Sequence, residues 1–166
     1  MTNVSAITSG ELLSLYSGVL VELRRRGLVR TANNPAADLG ERLVCDAMGW
    51  LRESEQRDDF DATTRAGARV RIKSRRQTRD ASPIRSGSIH DKDGFDILAL
   101  VFFASDFSVD KAVIVPREAA LRHLRWSKRQ KGWYVGLTQR FWLDPDIEDV
   151  TSRIALCHRD LLDRTS

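Results

Sequence analysis

The run Phe95-Asp96-Ile97-Leu98-Ala99-Leu100-Val101-Phe102-Phe103-Ala104 constrains the fold of this chain more than any other segment. It is nearly continuously apolar, which is the pattern of a central strand buried on both faces. A strand of that kind belongs inside a sheet, with cover above and below.

A second strand sets a different condition. In residues 68–76, Ala-Arg-Val-Arg-Ile-Lys-Ser-Arg-Arg, strict alternation puts Val70 and Ile72 on one face and Arg69, Arg71, Lys73 and Arg75 on the other. Four cations in a row repel one another unless carboxylates or an anion face them. The acids upstream are Glu41, in Leu39-Gly40-Glu41-Arg42, and Asp61, in Asp58-Asp59-Phe60-Asp61-Ala62. The Ala66-Gly67-Ala68 connection suits a hairpin that pairs a short strand over Phe60–Thr64 with the cationic one, bringing Asp61 beside Lys73.

The remaining elements follow from periodicity and caps. Thr8 and Glu11 have capping-box spacing, and Leu12, Tyr16, Val19, Leu20 and Leu23 then recur at helical steps up to Gly27. Asn34-Pro35 opens a second helix with Leu39, Leu43 and Ala47 as its inner stripe and Gly49 as its stop. Glu41 lies about 200° from Leu39 around that helix and so falls off the stripe. Residues 77–94 read as a long polar loop. Lys111–Val115 reads as a strand, and Pro116 opens a helix through about Trp126. Trp133–Leu137 and Phe141–Leu143 read as short strands, and Asp144-Pro145 as the cap of a last helix carrying Ile147, Val150, Ile154 and Leu156.

The 166 residues suit one domain, with an N-terminal helix in residues 1–30, a core in 34–126, and peripheral strands and a C-terminal helix in 132–166. There is no membrane-length apolar run and no secretory signal pattern, so a soluble, cytoplasmic protein without a membrane partner is expected. Cys45 and Cys157 lack metal-ligand spacing and read as reduced core thiols. His90, His123 and His158 form no ligand pattern and read as surface residues.

Charge is uneven. Between Arg65 and Arg85 stand Arg65, Arg69, Arg71, Lys73, Arg75, Arg76, Arg79 and Arg85 against Asp80 alone. A second cluster, Arg122, His123, Arg125, Lys128, Arg129 and Lys131, is interleaved with Trp126, Trp133 and Tyr134. Cations meet phosphates and flat rings stack on bases, so two such clusters point to a polyanionic partner. The Trp side chains also suit core or edge packing.

From Asn34 to Trp126 the chain resembles the PD-(D/E)XK, or restriction-endonuclease-like, nuclease superfamily. The resemblance rests on a helix with Gly40-Glu41, a strand with Asp61, a strand with Arg71-Ile72-Lys73, and the buried strand from Asp96. It implies an α/β fold with a restriction-endonuclease-like mixed sheet flanked by helices. It also implies a Mg2+ site held by Asp61 and Glu41, with Lys73 completing a catalytic set for phosphodiester hydrolysis. Arg69, Arg71, Arg75, Arg76, Arg79 and Arg85 would contact the nucleic acid, and a homodimer is among the assemblies it admits. Arg71 departs from the motif, because the family carries Asp or Glu two residues before the lysine. Either Glu41 substitutes from the neighbouring helix, or Arg71 fills the metal position and pairs with Asp61, leaving a fold that binds without cutting. A third reading is a protein-interaction module whose basic face docks an acidic partner.

Overall fold

The computed structural model describes residues 4–31, 33–54, 59–77 and 85–164. After a 3-10 turn at Val4–Ala6 come two helices, α1 (Ser9–Arg25) and α2 (Pro35–Met48). Both begin as their sequences direct. The Thr8 side chain caps Glu11 N–H while Glu11 reaches back to Thr8 N–H, and the Asn34 side chain accepts from Ala36 N–H with Pro35 in the first turn. Gly49 ends α2 at φ 67°, a left-handed conformation open to glycine at little cost.

Next come β1 (Leu51–Arg52), β2 (Ala62–Thr63), β3 (Arg69–Arg76), β4 (Ile97–Phe103) and β5 (Val109–Pro116). They are followed by α3 (Arg117–His123), β6 (Leu124–Ser127), β7 (Gly132–Val135), α4 (Gln139–Trp142), β8 (Glu148–Asp149) and α5 (Thr151–Arg164). The main sheet runs β1-β2-β3-β4-β5-β8, antiparallel except for the parallel β3–β4 pair. The protein is therefore a mixed α/β structure with a six-stranded mixed sheet flanked by helices.

β4 lies between β3 and β5, as its composition demands, and divides its side chains between two cores. Ala99, Val101 and Phe103 join Val70, Ile72, Ala112 and Ile114 against Leu39, Leu43 and Val44 of α2 and Ile154 of α5. Leu98, Leu100 and Phe102 join Val113 and Val115 against Ala119 and Ala120 of α3, Leu124, Val135 and Phe141. α2 approaches β3 closely because Gly40 has no side chain. A Cβ there would stand 1.8 Å from Ser74 Oγ.

Several elements differ from expectation. α3 stops at His123 because Leu124 is extended (φ −65°, ψ 140°) and pairs with Val135, starting a β6–β7 hairpin where the sequence predicts a continued helix. Phe141 lies in a short helix, not a strand, and turns its ring fully into the core. The last helix begins at Thr151. Asp144 caps a turn ahead of it, and Glu148–Asp149 adds a β-pair to Val113 and Ile114 at the sheet edge. β1, hidden in polar sequence after Trp50, forms the opposite edge. His123 is buried and hydrogen-bonded to Asp144 at 2.8 Å, so it is not the surface histidine expected.

Cys45 is buried and Cys157 half-buried, both unbridged. Burial pushes the Cys45 thiol up to about 12, which leaves it a packing residue at neutral pH. Among the described residues no helix is long and apolar enough to cross a membrane.

Candidate functional site

The β2–β3 hairpin turns at Gly67 (φ 85°) and pairs Ala62 with Val70. This register sets Asp61 across from Arg71, one step short of Lys73. Asp61 N–H donates to Val70 O at 2.8 Å, and the Asp61 carboxylate then takes the place of a further backbone partner, accepting from Ile72 N–H at 2.6 Å. Its other oxygen faces the Arg71 guanidinium at 3.3 Å. The pair is largely enclosed, with side chains 9% and 15% exposed for Arg71 and Asp61. Burial raises the Asp61 carboxyl above its ordinary value against the pull of Arg71, the Ile72 N–H and Lys73.

Glu41 projects from α2 toward β1, off the apolar stripe. It accepts from Arg30 at 2.5 Å and from Arg52 at 3.1 Å. Its carboxyl is also raised, by burial first and by the charge on Asp61 second. Asp38, one turn earlier, accepts from the backbone N–H groups of Arg30 and Thr31 and from the Thr31 hydroxyl. Burial works against its ionisation, yet those donors outweigh it and hold the carboxyl below the ordinary value.

The structure thus gathers Glu41, Asp61 and Lys73 at one edge of the sheet, near enough for the charge of Asp61 to act on Glu41 and that of Lys73 on Asp61. It also fills that edge with arginine. Mg2+ asks for one or two carboxylates with open lone pairs, plus water and phosphate oxygen. Here Asp61 is engaged by Arg71 and a backbone N–H, and Glu41 by two guanidiniums. The added positive charge of Lys73 opposes a further cation. As arranged, the donors do not fit magnesium. Among the described residues no group of three or more His, Cys, Asp or Glu side chains is placed to hold a metal ion.

The cationic face of β3 is partly spent within the protein. Arg69 is paired with Asp96, whose carboxylate also accepts Arg69 N–H at 2.8 Å. Arg71 is paired with Asp61. Arg76 lies over the Phe107 ring at 5.0 Å and Arg85 over Tyr134 at 5.5 Å. Arg75 is exposed. Arg79 lies outside the described residues.

The second basic cluster is better presented. Lys128, Arg129 and Lys131 stand exposed at the tip of the β6–β7 hairpin, with Arg125 exposed beside them. Trp126, 51% exposed, packs edge-on against its cross-strand neighbour Trp133 at 5.3 Å. The Arg85–Ile89 segment joins this hairpin to β3: Arg85 bridges to Gly136, Ile89 bridges to Trp133, and between them Gly87 passes Lys73. A Cβ on Gly87 would lie 3.6 Å from Lys73 Cδ. A helix carried through Trp126 hides this hairpin from a reading of the sequence. The alternation of Leu124 and Trp126 with Arg125 and Ser127 is the signal that could reveal it.

With this geometry in place, the class the structure defines is a mixed α/β protein carrying an arginine-locked pair of acids and a cationic aromatic hairpin. The chain matches no family model and no curated protein sequence.

Proposed function

We propose that this chain is a cytoplasmic nucleic-acid-binding protein of restriction-endonuclease-like architecture, with DNA as its ligand, in which Arg71 stands where that family carries an acidic metal ligand. One observation carries the reading. Lys128, Arg129 and Lys131 project from a hairpin that also presents Trp126, and the Arg85–Ile89 segment links this hairpin to Lys73. Cations that track phosphates beside an exposed ring suit a polynucleotide. The Arg71–Asp61 and Glu41–Arg52 pairs support binding without cutting.

Anisotropy of labelled DNA across a salt series tests the proposal. Affinity should fall linearly on a log–log scale, and combined Ala substitution of Lys128, Arg129 and Lys131 should flatten the slope by about 0.9 for each phosphate no longer neutralised. Affinity indifferent to salt would reject nucleic-acid binding. Capture of an acidic protein that persists after nuclease treatment would favour the interaction module.

A second reading, a Mg2+-dependent endonuclease using Glu41, Asp61 and Lys73, draws on the gathering of those three side chains at one sheet edge. It requires Arg71 to leave Asp61. Mg2+-dependent nicking by the wild type, abolished in Asp61→Ala and in Lys73→Ala, would establish it. Absence of cleavage on every DNA and RNA form would confine the protein to binding.

A further inference from the structure

α1 is anchored at its base and bare along its length. Within it only Leu20 is buried, and Leu23 packs on the core beside the helix end. Leu12, Leu13, Leu15, Tyr16, Val19 and Val21 are all exposed, Leu13 at 71%. Soluble proteins rarely leave so much contiguous apolar surface in water without a use for it. Leu12, Leu15, Tyr16 and Val19 share one face at three- and four-residue steps, the spacing of a helix-pairing seam.

We infer that this face pairs with the same face of a second copy, with the two α1 helices antiparallel. Charge selects the occupant and the direction. The first turn carries Glu11, and the last turn carries Arg24 beside Arg25 and Arg26, which pair with Glu22 of the same helix. A parallel pair would set the Arg24 side chains of both copies side by side. An antiparallel pair brings each Glu11 to the other copy's arginine end.

The seam agrees with this direction. Setting Tyr16 opposite Val19 of the second copy sets Leu12 opposite its Leu23. Leu23 borders a largely apolar cavity of about 210 Å³ lined also by Leu28, Val29, Phe107 and Leu162, with Asp106 and His158 on its wall. The exposed N-terminal half of each helix therefore covers the apolar hollow at the base of the other, and the two-fold contact closes on itself.

Sedimentation equilibrium on the full chain tests this. The wild type should be dimeric, and Leu12→Glu and Tyr16→Glu should each weaken association about tenfold or more while far-UV dichroism stays unchanged. In a Cys157→Ser background, copies bearing Leu12→Cys should cross-link to copies bearing Leu23→Cys, and Leu12→Cys copies should not cross-link to one another. A wild type that stays monomeric, a dimer indifferent to both substitutions, or self-cross-linking of Leu12→Cys would overturn the inference.

Discussion

The Arg71 guanidinium lies 3.3 Å from the Asp61 carboxylate, and that carboxylate also receives the Ile72 N–H at 2.6 Å. One acid thus neutralises a buried cation and closes a backbone position at a sheet edge where β2 has ended. Arg71→Ala leaves a largely enclosed carboxylate without its guanidinium, which should cost about 3 kcal/mol. For a chain of this size that corresponds to a Tm drop of roughly 6–12 °C by scanning calorimetry. Combining Asp61→Asn with Arg71→Met removes both charges and should cost less than the sum of the two single changes. Strict additivity would mean that the pair does not stabilise the edge.

Gly40 predicts a packing effect. A Cβ at this position would meet Ser74 Oγ at 1.8 Å and Ser74 Cβ at 2.5 Å, so α2 and β3 cannot both stay in place in Gly40→Ala. The cost should be about 1–3 kcal/mol by urea denaturation. Ser74→Gly in the same molecule removes both obstructing atoms and should restore most of that stability. A Gly40→Ala protein as stable as wild type would show that the helix shifts without penalty.

Trp126 separates a stacking surface from a purely electrostatic one. Its ring is half in water although Trp133 holds its edge. Base stacking on such a ring contributes about 1–3 kcal/mol. Trp126→Ala should therefore weaken binding of single-stranded DNA by about fivefold or more and leave the salt slope unchanged. Equal weakening for duplex and single strand, with a flatter slope, would point to a distorted hairpin.

The two cores are legible in the chain because β4 is apolar throughout, the mark of a strand buried on both faces, and β3 alternates, the mark of one core face; which strands lie beside β4 is not written in either pattern. The helix caps at Thr8, Asn34 and Gly49 are legible for the same local reason. What stays hidden depends on contacts distant in sequence. β1 and β8 are two-residue edge strands defined by partners, not by composition. His123 gives no local sign that Asp144, far along the chain, will bury it. The gathering of Glu41, Asp61 and Lys73 is what the family resemblance implies, but the register that hands Asp61 to Arg71, and the Arg30 and Arg52 side chains that take Glu41, are fixed only by folding.

The buried His123–Asp144 contact gives the protein a defined acid sensitivity. Hydrogen bonds from His123 and Arg122 hold the Asp144 carboxyl down to about 2, against an ordinary value of 3.8. A depressed carboxyl stabilises the fold above its unfolded pKa, and that contribution disappears as pH falls from 3.8 toward about 2. Asp149, held down to about 2 by Lys111 and Thr151, acts in the same direction and window. Asp61 and Glu41 have the opposite sign. Their carboxyls are raised, so their share of stability is greatest when protonated and falls as pH rises through the raised values. Acid unfolding should therefore draw on the lowered carboxyls, Asp144, Asp149 and Glu22 among them, and not on the raised Asp61–Glu41 pair. Unfolding free energy measured by urea titration from pH 5 to pH 2 should lose up to one proton of slope in Asp144→Asn, while Asp61→Asn should leave the slope as steep or steeper. An unchanged slope in Asp144→Asn would show that His123 and Arg122 do not distinguish the ionised from the protonated carboxyl.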